Sequence, residues 1–194
     1  MVDIKKTCSD IKDILIPFIK NPMEKIRNLP DWDWQTLILA QVLVTAISGA
    51  LGGLINRSVL SILSGLIMMP ILTLITTSIS TLFFFYTFQI IIQKQVPYRK
   101  LFTVVFFANI PFFIFQIISG YFPPISLVGL AFTGLLLIVG FVENFQVPRK
   151  LVIRLIAALY VVFFLIWLWG RLDTMKLDKQ WRAEESAPEV RLGK

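Results

Sequence analysis

The side chains in this chain that could do chemistry within a membrane are few, and almost all are uncharged. Asn109 and Gln116 lie seven residues apart, so on a helix their amides fall on nearly the same face, with Pro111 between them. Proline removes the N–H that would bond the carbonyl four residues back, here Phe107. One reading is a polar notch for a solute or lipid headgroup. The other, which we prefer, is a pair of amides bonding a neighbouring helix and repairing the kink, because neither carries charge. Gln41 and Gln89 read the same way, as interhelical glue. Glu143 and Arg154 flank a short loop at one interface, where an ion pair or snorkelling side chains fit better than a proton relay. Gly49 and Gly53 have the G-x-x-x-G spacing that lets helices approach closely, read as internal packing ahead of a dimer contact. Thr73, Thr76, Thr77, Ser78, Ser80 and Thr81 form a hydroxyl-rich stretch, and such groups in lipid bond readily to their own helix.

The usual catalytic groups do not assemble. The 194 residues include no histidine and one cysteine, Cys8, and hold no phosphate loop, no metal-ligand spacing and no nucleophile–base pair. The acidic residues lie almost wholly outside the apolar runs. The expectation is a non-enzymatic protein with no cofactor and no bound metal.

What must position these residues is a set of membrane spans. The chain is 56% hydrophobic with 17 phenylalanines, more than a soluble core of this size requires. Within lipid every backbone donor and acceptor must be satisfied inside the segment, so long apolar runs must be helices. The fold class is therefore all-α, a polytopic transmembrane helix bundle of five spans. The spans are expected at about 36–55, 66–92, 101–119, 125–142 and 151–169. The second lies in a run without charge from Val59 to Ile92, divided at Gly65 and Pro70, with Val59 to Met69 read as a lead-in turn or shallow half-helix.

Residues 1–35 form an amphipathic N-terminal segment in which Ile4, Cys8, Ile11, Leu15 and Phe18 make an apolar stripe at helical spacing. A second short helix starts at Asn21-Pro22, with Met23, Ile26 and Leu29 expected to face one way. The segment reads as a lead-in packed beneath the bundle, ahead of an in-plane helix recruiting partners or lipids. Trp32 and Trp34 suit headgroup level. Residues 171–194 read as a polar, solvated tail with at most a helical turn around Leu172 to Trp181.

The net charge of +7 sits mostly in short loops beside the spans. Residues 1–35 hold six Lys/Arg and six Asp/Glu, Lys94, Arg99 and Lys100 follow the second span, and Arg149, Lys150 and Arg154 surround the fourth loop. Arg57 is the one basic residue expected opposite them before the tail. This placement suits orientation and anionic lipid, not nucleic acid. It places the N-terminus in the cytoplasm and, with five crossings, the C-terminus on the other side.

The order of elements also carries a likeness. Pro17-Phe-Ile-Lys-Asn-Pro22 precedes the first span, and the third opens Tyr98-Arg-Lys-Leu-Phe-Thr-Val-Val-Phe-Phe-Ala-Asn-Ile-Pro111. A glycine-bearing fourth span follows, and Phe145-Gln-Val-Pro148 leads to the last. Over about residues 15–170 this resembles the Yip family of Ypt/Rab-interacting five-span membrane proteins, which has many small bacterial members. The resemblance implies five helices, a cytosolic N-terminus and, for eukaryotic members with longer N-terminal regions, vesicle traffic with Rab GTPases as partners. This chain has only about 35 residues before its first span, and the resemblance brings no catalytic residue. The expected role is a scaffold, adaptor or membrane-organising factor. The alternatives are a small oligomeric transporter, channel or lipid-handling protein, and an accessory subunit of a larger complex. The expected partners are the bilayer and either further copies of the chain or other membrane proteins. The expected membrane is the inner membrane of a bacterium, or Golgi or endoplasmic reticulum in a eukaryote.

Overall fold

The structure, a computed structural model, describes residues 4–55 and 59–185, with side chains described over 9–55 and 59–170. Its helices are α1 (Ile4–Lys20), α2 (Pro22–Lys25), α3 (Trp34–Ile55), α4 (Val59–Ile90), α5 (Tyr98–Ile118), α6 (Ile125–Phe145) and α7 (Arg149–Glu185). Five are long and apolar enough to cross a membrane: α3, α4, α5, α6 and the Arg149–Gly170 part of α7. The fold is all-α, and these helices form a polytopic membrane bundle. The chain divides into two compact units at Ile156/Ala157. The first ends with the opening turns of α7, where Val152 and Ile156 are buried. The second is the remainder of α7.

Helix α4 is continuous where the composition suggests a division. Its 32 residues run through Gly65 and Pro70 without a break, and at 1.5 Å per residue reach about 48 Å against roughly 30 Å of hydrocarbon. A proline costs one backbone bond, whereas leaving helical geometry in lipid would expose several, so the helix persists through it. Helix α7 likewise continues to Glu185, in place of the expected tail from Arg171. The run from Arg171 is rich in Arg, Lys, Leu, Met and Glu, all good helix formers, and meets no proline before Pro188. Arg57 and residues 186–194 lie outside the described residues, as do the side chains of Ile4, Cys8 and Trp181.

The centre of the first unit is α5, which packs against α3, α4 and α6. Its first half, Leu101 through Ala108, is buried at every position, so it has no lipid-facing side there. Part of that cover comes from the N-terminal segment. The Phe18 ring lies 5.0 Å and the Trp32 ring 5.4 Å from the Phe107 ring. Ile26 is fully buried beside Gly140, where an added Cβ would lie 2.7 Å from a Val104 methyl and 3.2 Å from Ile26 Cγ1. Along α1, Ile11 and Phe18 are buried and Leu15 half-buried. Of the three residues expected on one face of the second helix, only Ile26 is fully buried: Met23 is exposed, and Leu29 is half-buried beyond the end of α2 at Lys25, where helical periodicity no longer holds.

Helix α3 opens on Asp33, whose carboxylate accepts the Thr36 N–H at 3.1 Å. The Thr36 hydroxyl and N–H hold the Asp33 carboxyl below the usual carboxylate range. The cap thus contributes fully above the ordinary carboxylate pKa and is lost as pH falls through the lowered folded-state value.

The tightest contact in the bundle joins α3 and α4. A Cβ on Gly49 would overlap the Gly65 carbonyl, and one on Gly65 the Gly49 carbonyl, while a Cβ on Gly53 would sit 2.6 Å from the Ile62 backbone. At Gly52 the nearest atom would be 4.0 Å away. Gly49→Ala or Gly65→Ala should therefore destabilise the protein by about 1–3 kcal/mol, the usual cost of overpacking, and Gly52→Ala should not. Thermal unfolding in lipid nanodiscs separates the two cases; equal Tm values for Gly49→Ala and Gly52→Ala would contradict this packing.

Candidate functional site

Close approach of α3 to α4 leaves a groove beside it. The end of α3, the first turns of α4, and the end of α5 with its following turn enclose about 500 Å³. Backbone of the glycines supplies one wall, and Ser48, Ser61, Ser64, Gln116 and Ser119 supply hydroxyl and amide groups. The Ser48 hydroxyl donates to the Phe113 carbonyl across α3 and α5, and the Ser119 hydroxyl donates to Gln116 O at 2.7 Å. The Tyr121 hydroxyl donates to the Ile55 carbonyl at 3.0 Å, closing the α5–α6 turn onto the end of α3. No ionisable side chain is among the described residues that line the groove, so they can exchange hydrogen bonds with a neutral group but cannot hold or move a proton.

At the opposite end of the bundle a second set of contacts fixes the N-terminal segment. The Asn144 amide donates to the Ile26 carbonyl at 2.8 Å and to the Gly140 carbonyl at 3.0 Å. Arg27 pairs with Glu143 at 4.0 Å, and Arg99 with Asp31 at 2.7 Å. Lys100 Nζ lies 5.8 Å from the centre of the Phe145 ring. Glu143 thus reaches Arg27 and not Arg154, which is exposed and makes no ion pair among the described residues. The physical reason is the docked segment: Ile26 seated on Gly140 carries the next residue to the carboxylate. Neither Arg27 nor Asn144 stands out in the sequence. A polar residue beside Glu143 at the end of a span is the only trace of them there.

The sequence candidates separate across the molecule. Gly49, Gly53 and Gln116 meet in the groove. Asn109 is half-buried and does not line it, and no hydrogen bond joins its side chain to another of the described residues. Pro111 continues α5 as helix. Gln41 is fully buried, and its amide N–H groups donate to the Thr73 carbonyl at 3.0 Å and the Thr77 hydroxyl at 2.9 Å, joining α3 to α4. Gln89 is exposed at the other end of α4. The α4 hydroxyls of Thr73, Thr76, Thr81 and Thr87 donate back to carbonyls four residues earlier. Among the described residues no group of three or more His, Cys, Asp or Glu could hold a metal.

A central helix with an internal proline, a tightly packed first helix pair and a docked N-terminal lead-in run over one continuous stretch. The Yip1 domain family matches residues 16–170. The chain belongs to the Yip1 domain family. Comparison with curated proteins and with solved structures returns no match. The matched region takes in α3 to α6, the membrane part of α7 and the Phe18 and Ile26 anchors. The protein is thus a Yip-family multi-pass membrane protein.

Two substitutions separate glue from surface. Gln41→Leu should lower stability by about 0.6–2 kcal/mol, the range for interhelical hydrogen bonds in membranes, while Gln89→Leu should leave Tm unchanged. In a double-mutant cycle Arg27 and Glu143, both well exposed, should couple by about 0.2–1 kcal/mol, and Arg154 and Glu143 by nothing measurable. A larger coupling for Arg154 would reverse the assignment.

Proposed function

We propose that this Yip-family protein is a non-enzymatic scaffold or adaptor that organises its membrane surroundings through a fixed surface on the N-terminal side of the bundle. One observation carries the reading. The N-terminal segment is held against α5 and α6 by Phe18, Ile26 and Asn144. The exposed polar groups around it (Arg27, Glu143, Lys100, Arg149 and Lys150) therefore stand in fixed relation to one another. A mixed-charge surface held in place by the docked segment suits recognition of a partner. The partner is a membrane protein or another copy of the chain. Helix α4 favours this reading over a transport path, because its back-bonded threonines have no donor left for a passing solute.

On this reading that surface is cytosolic and the C-terminus lies across the membrane, in the inner membrane of a bacterium or in Golgi or endoplasmic reticulum of a eukaryote; the basic residues in the loops on that side support it. Cys8 is the chain's only cysteine, so a single cysteine can be moved at will in a Cys8→Ser background. In sealed vesicles of known sidedness an impermeant maleimide should label Asp10→Cys, at an exposed position, only from the cytosolic face, and Ser64→Cys only from the other. The reverse pattern would overturn the orientation. Crosslinking in native membranes should recover a defined partner, with yield reduced several-fold by Lys100→Glu and Arg149→Glu. A product containing no protein but this one, at monomer mass, would end the scaffold reading.

A further inference from the structure

Helices α5 and α7 start alike. Gln95-Val96-Pro97-Tyr98-Arg99-Lys100-Leu101 opens the first and Gln146-Val147-Pro148-Arg149-Lys150-Leu151 the second, with both valines buried and no acid in either first turn. At α5 the chain itself answers the two cations. Arg99 pairs with Asp31 at 2.7 Å, and Lys100 Nζ lies 5.8 Å from the centre of the Phe145 ring. At α7 it does not. Arg149, Lys150 and Arg154 are exposed, and none makes an ion pair among the described residues.

Depth sets Arg154 apart. The uncharged part of α6, Ile125 to Val142, reaches about 27 Å of the roughly 30 Å of hydrocarbon, so its polar boundary falls at Glu143. Ile156 packs on Gly134, where an added Cβ would lie 3.1 Å from the Ile156 Cγ2. Gly134 is about 14 Å along the axis inward of Glu143. Arg154 precedes Ile156 by two residues, about 3 Å, which leaves its Cα about 10 Å inside the boundary. At 100° per residue Lys150 and Arg154 are about 40° apart. They lie about 140° and 180° from the mean direction of buried Val152 and Ile156. Charged side chains within spans almost always face the bundle interior or a water-filled cavity; Arg154 faces away from the bundle.

A guanidinium at that depth needs an anion within reach. Side chains on a helix lean toward its N-terminus, which for α7 is toward the membrane surface. Arg154 therefore extends past Lys150 to the phosphate layer. An acid on a protein partner would itself have to enter lipid to meet it, whereas phosphates line the surface above.

We propose that Lys150 and Arg154 form a site for the phosphate of an anionic phospholipid on the outer face of α7. An anionic headgroup is preferred to a zwitterionic one, because a choline would bring further positive charge to a pair that no carboxylate offsets. The site needs no protein partner and forms in whichever leaflet the N-terminal side meets, so its failure and that of the scaffold reading are distinguishable.

The full-length protein in phospholipid vesicles, probed with spin-labelled phosphatidylglycerol and spin-labelled phosphatidylcholine, provides the test. The first lipid should associate in preference to the second, and Lys150→Gln/Arg154→Gln should cut the preference by about two- to fivefold. Lys20→Gln/Lys25→Gln, an equal loss of charge at exposed positions of the N-terminal segment, should leave it unchanged. No preference in the unaltered protein, no change in the first variant, or an equal fall in both would overturn the site. Arg154→Leu guards against a folding defect. In pure phosphatidylcholine nanodiscs it should unfold at no lower a temperature than the parent, yet it should lose the extra stability that phosphatidylglycerol gives the parent. An equal phosphatidylglycerol effect in both would contradict the proposal. In native membranes a photocrosslinker on exposed Ile153→Cys, in a Cys8→Ser background, should form lipid adducts. Another protein as the main adduct would put a partner's surface there and would also overturn it.

Discussion

A helix buried on every side inside a bilayer needs neighbours all the way round, and α5 from Leu101 to Ala108 is such a helix. Three spans supply most of its cover, and the N-terminal segment supplies part of the rest through Phe18, Trp32 and Ile26. Much else follows from this closure. It explains why Gly140 has no side chain, why Asn144 caps the Ile26 carbonyl, and why Glu143 finds Arg27. The N-terminal segment belongs to the core of a Yip-family bundle as much as its spans do.

Lipid tails are as apolar as leucine, so no hydrophobic force draws these spans together; close packing and hydrogen bonds must do it. The α3–α4 pair uses both. Gly49 and Gly65 allow backbone contact toward one end, and Gln41 bonds Thr73 and Thr77 further along. Rings bridge α4 to α6, with Phe84 and Phe88 at 4.8 and 5.0 Å from Phe141. The groove beside Gly49 is what this tight crossing leaves as the helices diverge, and its polar lining is of hydroxyl and amide groups.

Much of this was legible in the residues. Apolar runs between basic loops marked the five spans, since lipid permits little else, and Ile11 and Phe18 stood on a visible stripe. Other features depended on tertiary neighbours. Pro70 looked like a boundary because proline breaks helices in water, where alternatives are cheap; in lipid they are not, and α4 runs on. The stretch from Arg171 looked like a tail for its polarity, although its helix formers had no breaker to stop them. The Glu143–Arg154 pairing followed from nearness in sequence, while the actual partner arrives over more than a hundred residues with the docked segment. Asn109 and Gln116 share a helical face, yet only Gln116 reaches the groove, because what lines a cavity depends on the facing helices.

Amide hydrogen exchange across residues 10–29, measured on the protein in lipid nanodiscs, tests the closure of α5 most directly. A segment built into the bundle should exchange orders of magnitude more slowly than the same peptide free in solution, and Gly140→Leu, which fills the seat of Ile26, should speed its exchange while leaving α3 protected. Exchange of residues 10–29 at the free-peptide rate in the unaltered protein would show that the segment hangs loose, and would contradict the account.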